Sequence, residues 1–83
     1  MRLDKYLKVS RVIKRRTVAN DAADAGRVTI NGKVAKASAE VSCGDIIEIR
    51  FGNNTTKIEV LAIKESVKKE DAESMYRNLS NLS

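Results

Sequence analysis

The chain has 83 residues and a mass of 9.2 kDa, room for one small domain. Lysine and arginine total 16 against 11 acids, a net charge of +5 and a pI near 9.6, which makes polyanions the first partners to consider. The 42% apolar content is too high for a disordered basic tail, and with no histidine and one cysteine (Cys43) the chain cannot build a zinc finger, a disulfide scaffold or a Cys/His catalytic pair.

No apolar run approaches the ~20 residues of a membrane-spanning helix, and no apolar h-region follows Met1-Arg2-Leu3-Asp4, so neither a membrane segment nor a secretory signal is expected. A single thiol suits a reducing compartment, and the predicted location is the cytoplasm. The charge is concentrated. Residues 1–36 hold ten basic and three acidic residues, a net of +7, and residues 37–83 hold six and eight, a net of −2. The N-terminal portion is therefore the side expected to meet a polyanion.

In chain order, Leu3, Tyr6 and Leu7 fall at i, i+3 and i+4 and predict a short amphipathic helix. Val12 and Ile13 precede the basic cluster Lys14-Arg15-Arg16. Thr17 is a candidate N-cap for a second helix carrying Val18, Ala19, Ala22 and Ala25 on its packing face. Gly26 suits the end of that helix. The period then changes to two. Val28 and Ile30 predict a strand, and Asn31-Gly32 a tight turn into a return at Lys33-Val34. Cys43-Gly44-Asp45 reads as a turn; Ile47, Ile49 and Phe51 as a strand with Phe51 in the core; Gly52 to Thr55 as a hairpin loop; and Lys57 to Ile63 as a further strand. Ala72, Met75, Tyr76 and Leu79 recur at helical spacing and predict a helix over Val67–Leu82. The expected architecture is α+β: two N-terminal helices on a small, mainly antiparallel sheet over residues 1–66, then a helical tail over 67–83. The expected core groups Leu3, Leu7, Val18, Ala22, Val28, Ile30, Ile47 and Ile49.

The sharpest functional feature is Lys14-Arg15-Arg16-Thr17 at a predicted helix start. Free backbone N–H groups and the positive dipole end attract phosphate there, whereas cations at that position do nothing for the helix itself. Arg2, Lys5 and Lys8, spaced by three with Arg11 beyond, form a basic helix face interrupted only by Asp4, which reads as a first-turn carboxylate. The candidate phosphate contacts are Arg2, Lys5, Lys8, Arg11, Lys14, Arg15, Arg16 and Thr17, with Arg27, Lys33 and Lys36 on the flank. Gly26 to Lys33 mimics a P-loop, but five residues separate its glycines and Val34 follows the lysine, so nucleotide binding is rejected. No general acid–base pair, metal-ligand spacing or cofactor motif emerges, and the chain reads as non-enzymatic, without cofactor, metal or small-molecule substrate. With Tyr6, Phe51 and Tyr76 as its only aromatics, recognition of RNA backbone and shape is expected over base-by-base reading of a loose strand. A helix-turn-helix DNA regulator is disfavoured, because Val18, Ala19, Ala22 and Ala25 offer no polar groups to base edges. A pure protein adaptor leaves the +7 portion without a role.

Four ordered blocks carry a family resemblance: Arg2-Leu3-Asp4-Lys5-Tyr6-Leu7, Lys14-Arg15-Arg16-Thr17-x-Ala19, Gly26-Arg27-Val28-x-Ile30-Asn31-Gly32 and Gly44-Asp45-x-Ile47. Together they resemble the S4 RNA-binding domain. That family commonly has serine before the arginine matched by Arg16, where this chain has Arg15. With Ala35-Lys36-Ala37-Ser38 the chain is similar to the stand-alone S4 proteins of bacterial ribosome-associated quality control, the RqcP family, and more distantly to the heat-shock S4 proteins of the large ribosomal subunit. The resemblance implies binding to rRNA and peptidyl-tRNA on obstructed large subunits and support, with RqcH, of the addition of alanines to stalled chains without mRNA; a monomer is expected. Another folded RNA, as in ribosome assembly, is the alternative target.

Overall fold

A computed structural model describes residues 1–65 and 68–79 of the chain. Helix α1 spans Leu3–Val9 and α2 spans Arg16–Asp24. The strands are β1 Val28–Ile30, β2 Lys33–Val34, β3 Ile46–Phe51, β4 Asn54–Val60 and β5 Tyr76–Asn78. They form one antiparallel sheet in the order β2-β1-β3-β4-β5.

The first hairpin follows directly from its turn residues. Asn31 (φ 53°) and Gly32 (φ 85°) both take positive φ, the geometry that a two-residue turn between twisted strands requires, and Ile30 faces Lys33 across it. Gly26, at φ 77°, ends the second helix as expected. The β3–β4 turn is tighter than the sequence suggests. Phe51 pairs with Asn54, so Gly52-Asn53 alone make the turn and β4 begins at Asn54 rather than Lys57.

The core joins Leu3, Tyr6 and Leu7 of α1 to Ala19, Ala22 and Ala23 of α2 and to Val28, Ile47, Ile49, Ile58 and Val60 of the sheet. Alanines on the buried face of α2 let it lie close to α1. Two expected core residues sit elsewhere. Val18 is exposed, as is Ala25 of the expected packing face, because the buried face of α2 runs through positions 19, 22 and 23. Phe51 keeps the inward alternation of Ile47 and Ile49, but it lies at the turn end of β3 and is exposed. Ile30 is only partly buried against the core.

The tail departs most from expectation. In place of a helix through Val67–Leu82, a short α3 (Lys69–Ala72) continues as a 3-10 turn (Glu73–Met75), and the chain then extends into β5. Val67 and Leu82 themselves lie outside the described residues. The local helical period gives way to a long-range demand. The edge of β4 has unpaired backbone groups, and Tyr76–Asn78 satisfy them, with Leu79 N–H donating to the Lys57 carbonyl at 2.7 Å. Buried Ala72 and Met75 fasten the segment to the domain. The Met75 carbonyl accepts the Tyr6 hydroxyl at 2.7 Å and the Leu61 N–H at 2.8 Å.

Candidate nucleic-acid interface

The start of α1 is stitched to residues 37–41. Leu3 N–H donates to the Ala39 carbonyl (2.8 Å), Asp4 N–H to Ala37 (3.2 Å) and Val41 N–H to Met1 (2.9 Å). The N-terminal ammonium also pairs with Glu40 at 2.9 Å. These bonds fix the backbone around Arg2 and Asp4.

Asp4 is buried, and it organises the residues around it. Its Oδ1 accepts the Lys5 backbone N–H (2.8 Å) and Arg16 Nη2 (3.4 Å) and lies 3.4 Å from Arg2 Nε. Its Oδ2 accepts Arg2 Nη2 (3.4 Å) and Asn20 Nδ2 (3.3 Å) and lies 3.3 Å from Arg16 Nε. Burial alone would push the Asp4 carboxyl up. The hydrogen bonds from Arg16, Asn20 and Lys5, with the Arg16 charge, outweigh it and hold the group below the ordinary aspartate value. Each arginine spends Nε and Nη2 on Asp4, and among the described residues its Nη1 meets no carboxylate. Both side chains remain about half exposed. The result is a pair of guanidinium forks aimed by one buried carboxylate.

Arg16 is also the first residue of α2. Arg15 is the N-cap, in extended conformation, and no side chain caps the helix, which corrects the reading of Thr17 as N-cap. Thr17 lies inside the first turn, which contains no acid. A recess of about 300 Å³ bounded by Asp4, Arg16, Thr17, Asn20 and Asp21 opens beside it.

Lys8, Arg11 and Lys14 converge on a separate cleft of about 510 Å³, walled on the far side by Ala72, Glu73 and Tyr76 of the tail. Arg11 holds φ 62° just after α1, where glycine is the usual residue. Lys5 is half-buried and tied to Glu65, and that contact holds the Glu65 carboxyl below its usual range. Arg15 is exposed, next in sequence to Lys14, and Lys36 is exposed next to Ala37, whose carbonyl accepts the Asp4 N–H. Lys33 is exposed at the β1–β2 turn. Arg27 stands at the opposite end of α2 from Arg16, beside Arg50 and Gly52. The expected cations therefore form two neighbouring clusters, with Arg27 and Lys33 apart from both.

Sequence reasoning missed Asn20, Glu65, Glu73 and the organising role of Asp4. For Asp4 a signal was present: it is the lone acid among the basic residues of the first helix. Among the described residues no three Cys, Asp or Glu side chains gather as a metal site, and no helix is long and apolar enough to cross a membrane.

The S4 domain model matches residues 1–47, more than half of the chain. The chain belongs to the S4 domain family. It is 58% identical over 80 residues to the RQC P-site tRNA stabilizing factor of Streptococcus pneumoniae, covering 96% of this chain and 91% of the relative. It is 54% identical to the protein of the same name from Bacillus subtilis, covering 92% and 88%. Among solved structures, the trimeric heat shock protein 15 of Vibrio cholerae superposes with a TM-score of 0.86 at 32% identity, covering 96% of this chain and 82% of that one. The S4 assignment and the α+β architecture expected from the four sequence blocks both hold.

Proposed function

We propose that this protein is a non-enzymatic, cytoplasmic RNA-binding factor of ribosome-associated quality control. As a single copy it binds rRNA and peptidyl-tRNA on obstructed large ribosomal subunits and steadies the tRNA while RqcH extends the stalled chain with alanine. The observation that carries the reading is the Arg2–Asp4–Arg16 cluster at the uncapped start of α2, in a chain more than half identical to factors named for stabilising P-site tRNA. Two oriented guanidiniums and the positive helix end make a phosphate site in which geometry as well as charge selects the ligand. Lys8, Arg11, Lys14 and Arg15 add attraction along the neighbouring backbone, and Lys5, Thr17, Lys36, Lys33 and Arg27 contribute less.

Sedimentation of tagged protein from cells through sucrose gradients tests this. Co-migration with large subunits that carry peptidyl-tRNA is expected, together with loss of alanine tails when the protein is removed. Co-migration with small-subunit precursors would redirect the protein to ribosome assembly.

A further inference from the structure

The far end of α2 carries a second constellation that the oriented arginines do not explain. Arg27 and Arg50 line one recess of about 220 Å³ with Gly52, and the Arg50 N–H donates to the Arg27 carbonyl at 2.9 Å, which holds the two residues side by side. Among the described residues neither guanidinium forms an ion pair. Both cations line the same recess without a carboxylate partner, and an anion placed there would offset both charges. Arg27 also borders an adjoining recess of about 270 Å³ whose walls are Phe51, Val18, Ala22 and Ala25, with Asp21 at its rim. Phe51 is 36% exposed and Val18 41%, so a large ring and a branched side chain stay in water beside Arg27.

We propose that this end of α2 is a nucleotide site, in which an unpaired RNA base stacks on Phe51 while Arg27, which lines both recesses, meets its phosphate and Arg50 meets the neighbouring phosphate of the strand. The proposal rests on the RNA-binding reading and adds a contact remote from the Arg2–Asp4–Arg16 cluster. An exposed ring accepts any base face, and a flanking arginine pair neutralises the backbone that must accompany it. Asp21 can accept a hydrogen bond from an exocyclic amino group and so favours bases that carry one. A protein partner fits less well. A stable protein interface buries at least about 1,000 Å², whereas the exposed apolar surface here is a single small recess that Asp21 also lines.

Ultraviolet cross-linking of the full chain to large ribosomal subunits carrying tRNA, followed by tryptic mass spectrometry, tests the site. Cleavage after Arg50 and Lys57 isolates a peptide, residues 51–57, with Phe51 as its only aromatic. A nucleotide adduct on that peptide is expected. Phe51→Leu should weaken subunit binding by about 5- to 140-fold, the loss of one stacked base, while Phe51→Tyr retains affinity. Adducts confined to other peptides, or wild-type affinity for Phe51→Leu, overturn the site and leave the RNA-binding reading intact. Wild-type subunit affinity together with failure to recover one co-purifying protein would make the recess a protein-docking surface, which also overturns it. If wild-type protein yields no adducts and no subunit binding, the broader reading fails with it.

Discussion

Two basic clusters lie side by side on this domain and are held in different ways. In the first, Arg2 and Arg16 converge on a buried Asp4 that is itself fixed by Asn20 and a backbone N–H. In the second, Lys8, Arg11 and Lys14 border a cleft with no carboxylate bonded to them among the described residues, and Glu73 stands on its opposite wall. The first cluster sacrifices part of its charge for direction. The second keeps its charge and leaves the side chains to solvent. Positive charge alone therefore does not rank these residues; orientation does, because an ordered guanidinium loses less freedom when phosphate arrives.

The largest expected effect separates oriented from peripheral cations. Arg16→Ala should cost about 1.5–3 kcal/mol of affinity for large subunits carrying tRNA, the range for a hydrogen bond to a charged group. Lys33→Ala should cost less than about 1 kcal/mol, as expected of an exposed charge, and act mainly through salt-sensitive attraction. Equal losses measured by filter binding would erase the distinction.

A second effect follows pH. The Asp4 carboxyl is held below its ordinary value, so its contribution to stability is complete above about pH 4, the unfolded aspartate value. That contribution disappears as pH falls through the lower folded value. Acid unfolding followed by circular dichroism should show Asp4→Asn flattening this limb. An unchanged limb would mean that the arginines do not bear on Asp4 in solution.

A smaller effect concerns the tail that walls the second cluster. Tyr6→Phe removes the hydroxyl bonded to the Met75 carbonyl, which still accepts the Leu61 N–H. The cost to folding should therefore be modest, about 0.5–1.5 kcal/mol by chemical denaturation, with subunit affinity nearly unchanged. A large fall in affinity would show that the tail positions the proposed phosphate site as well as closing the core.

The sequence made the first half of the fold readable because its signals are local. Helical spacing at Leu3, Tyr6 and Leu7, the Asn31-Gly32 turn and the alternation at Ile47 and Ile49 each specify their element within a few residues. The tail misled for the converse reason. Ala72, Met75, Tyr76 and Leu79 do have helical spacing, but the open edge of β4 draws Tyr76–Asn78 into the sheet, and no local pattern reports that edge. Phe51 has the alternation of a core residue, and only its position at the turn end of β3 shows that it stays exposed. The basic residues of the site were legible as charges. Their division into oriented and unoriented clusters was not, because it depends on Asp4 and Asn20 meeting Arg16 across the α1–α2 packing.

Asp4→Asn tests the central claim most directly, through its affinity for large subunits carrying tRNA over a range of potassium concentrations. The substitution removes one negative charge from the proposed phosphate-binding surface. Were charge alone decisive, binding would tighten. The orientation account predicts that it weakens, because Arg2 and Arg16 lose the carboxylate that aims them. It also predicts that the wild-type log–log salt slope stays steep in the mutant, at about −0.7 to −0.9 per phosphate neutralised. Tighter binding by Asp4→Asn at every potassium concentration would contradict it.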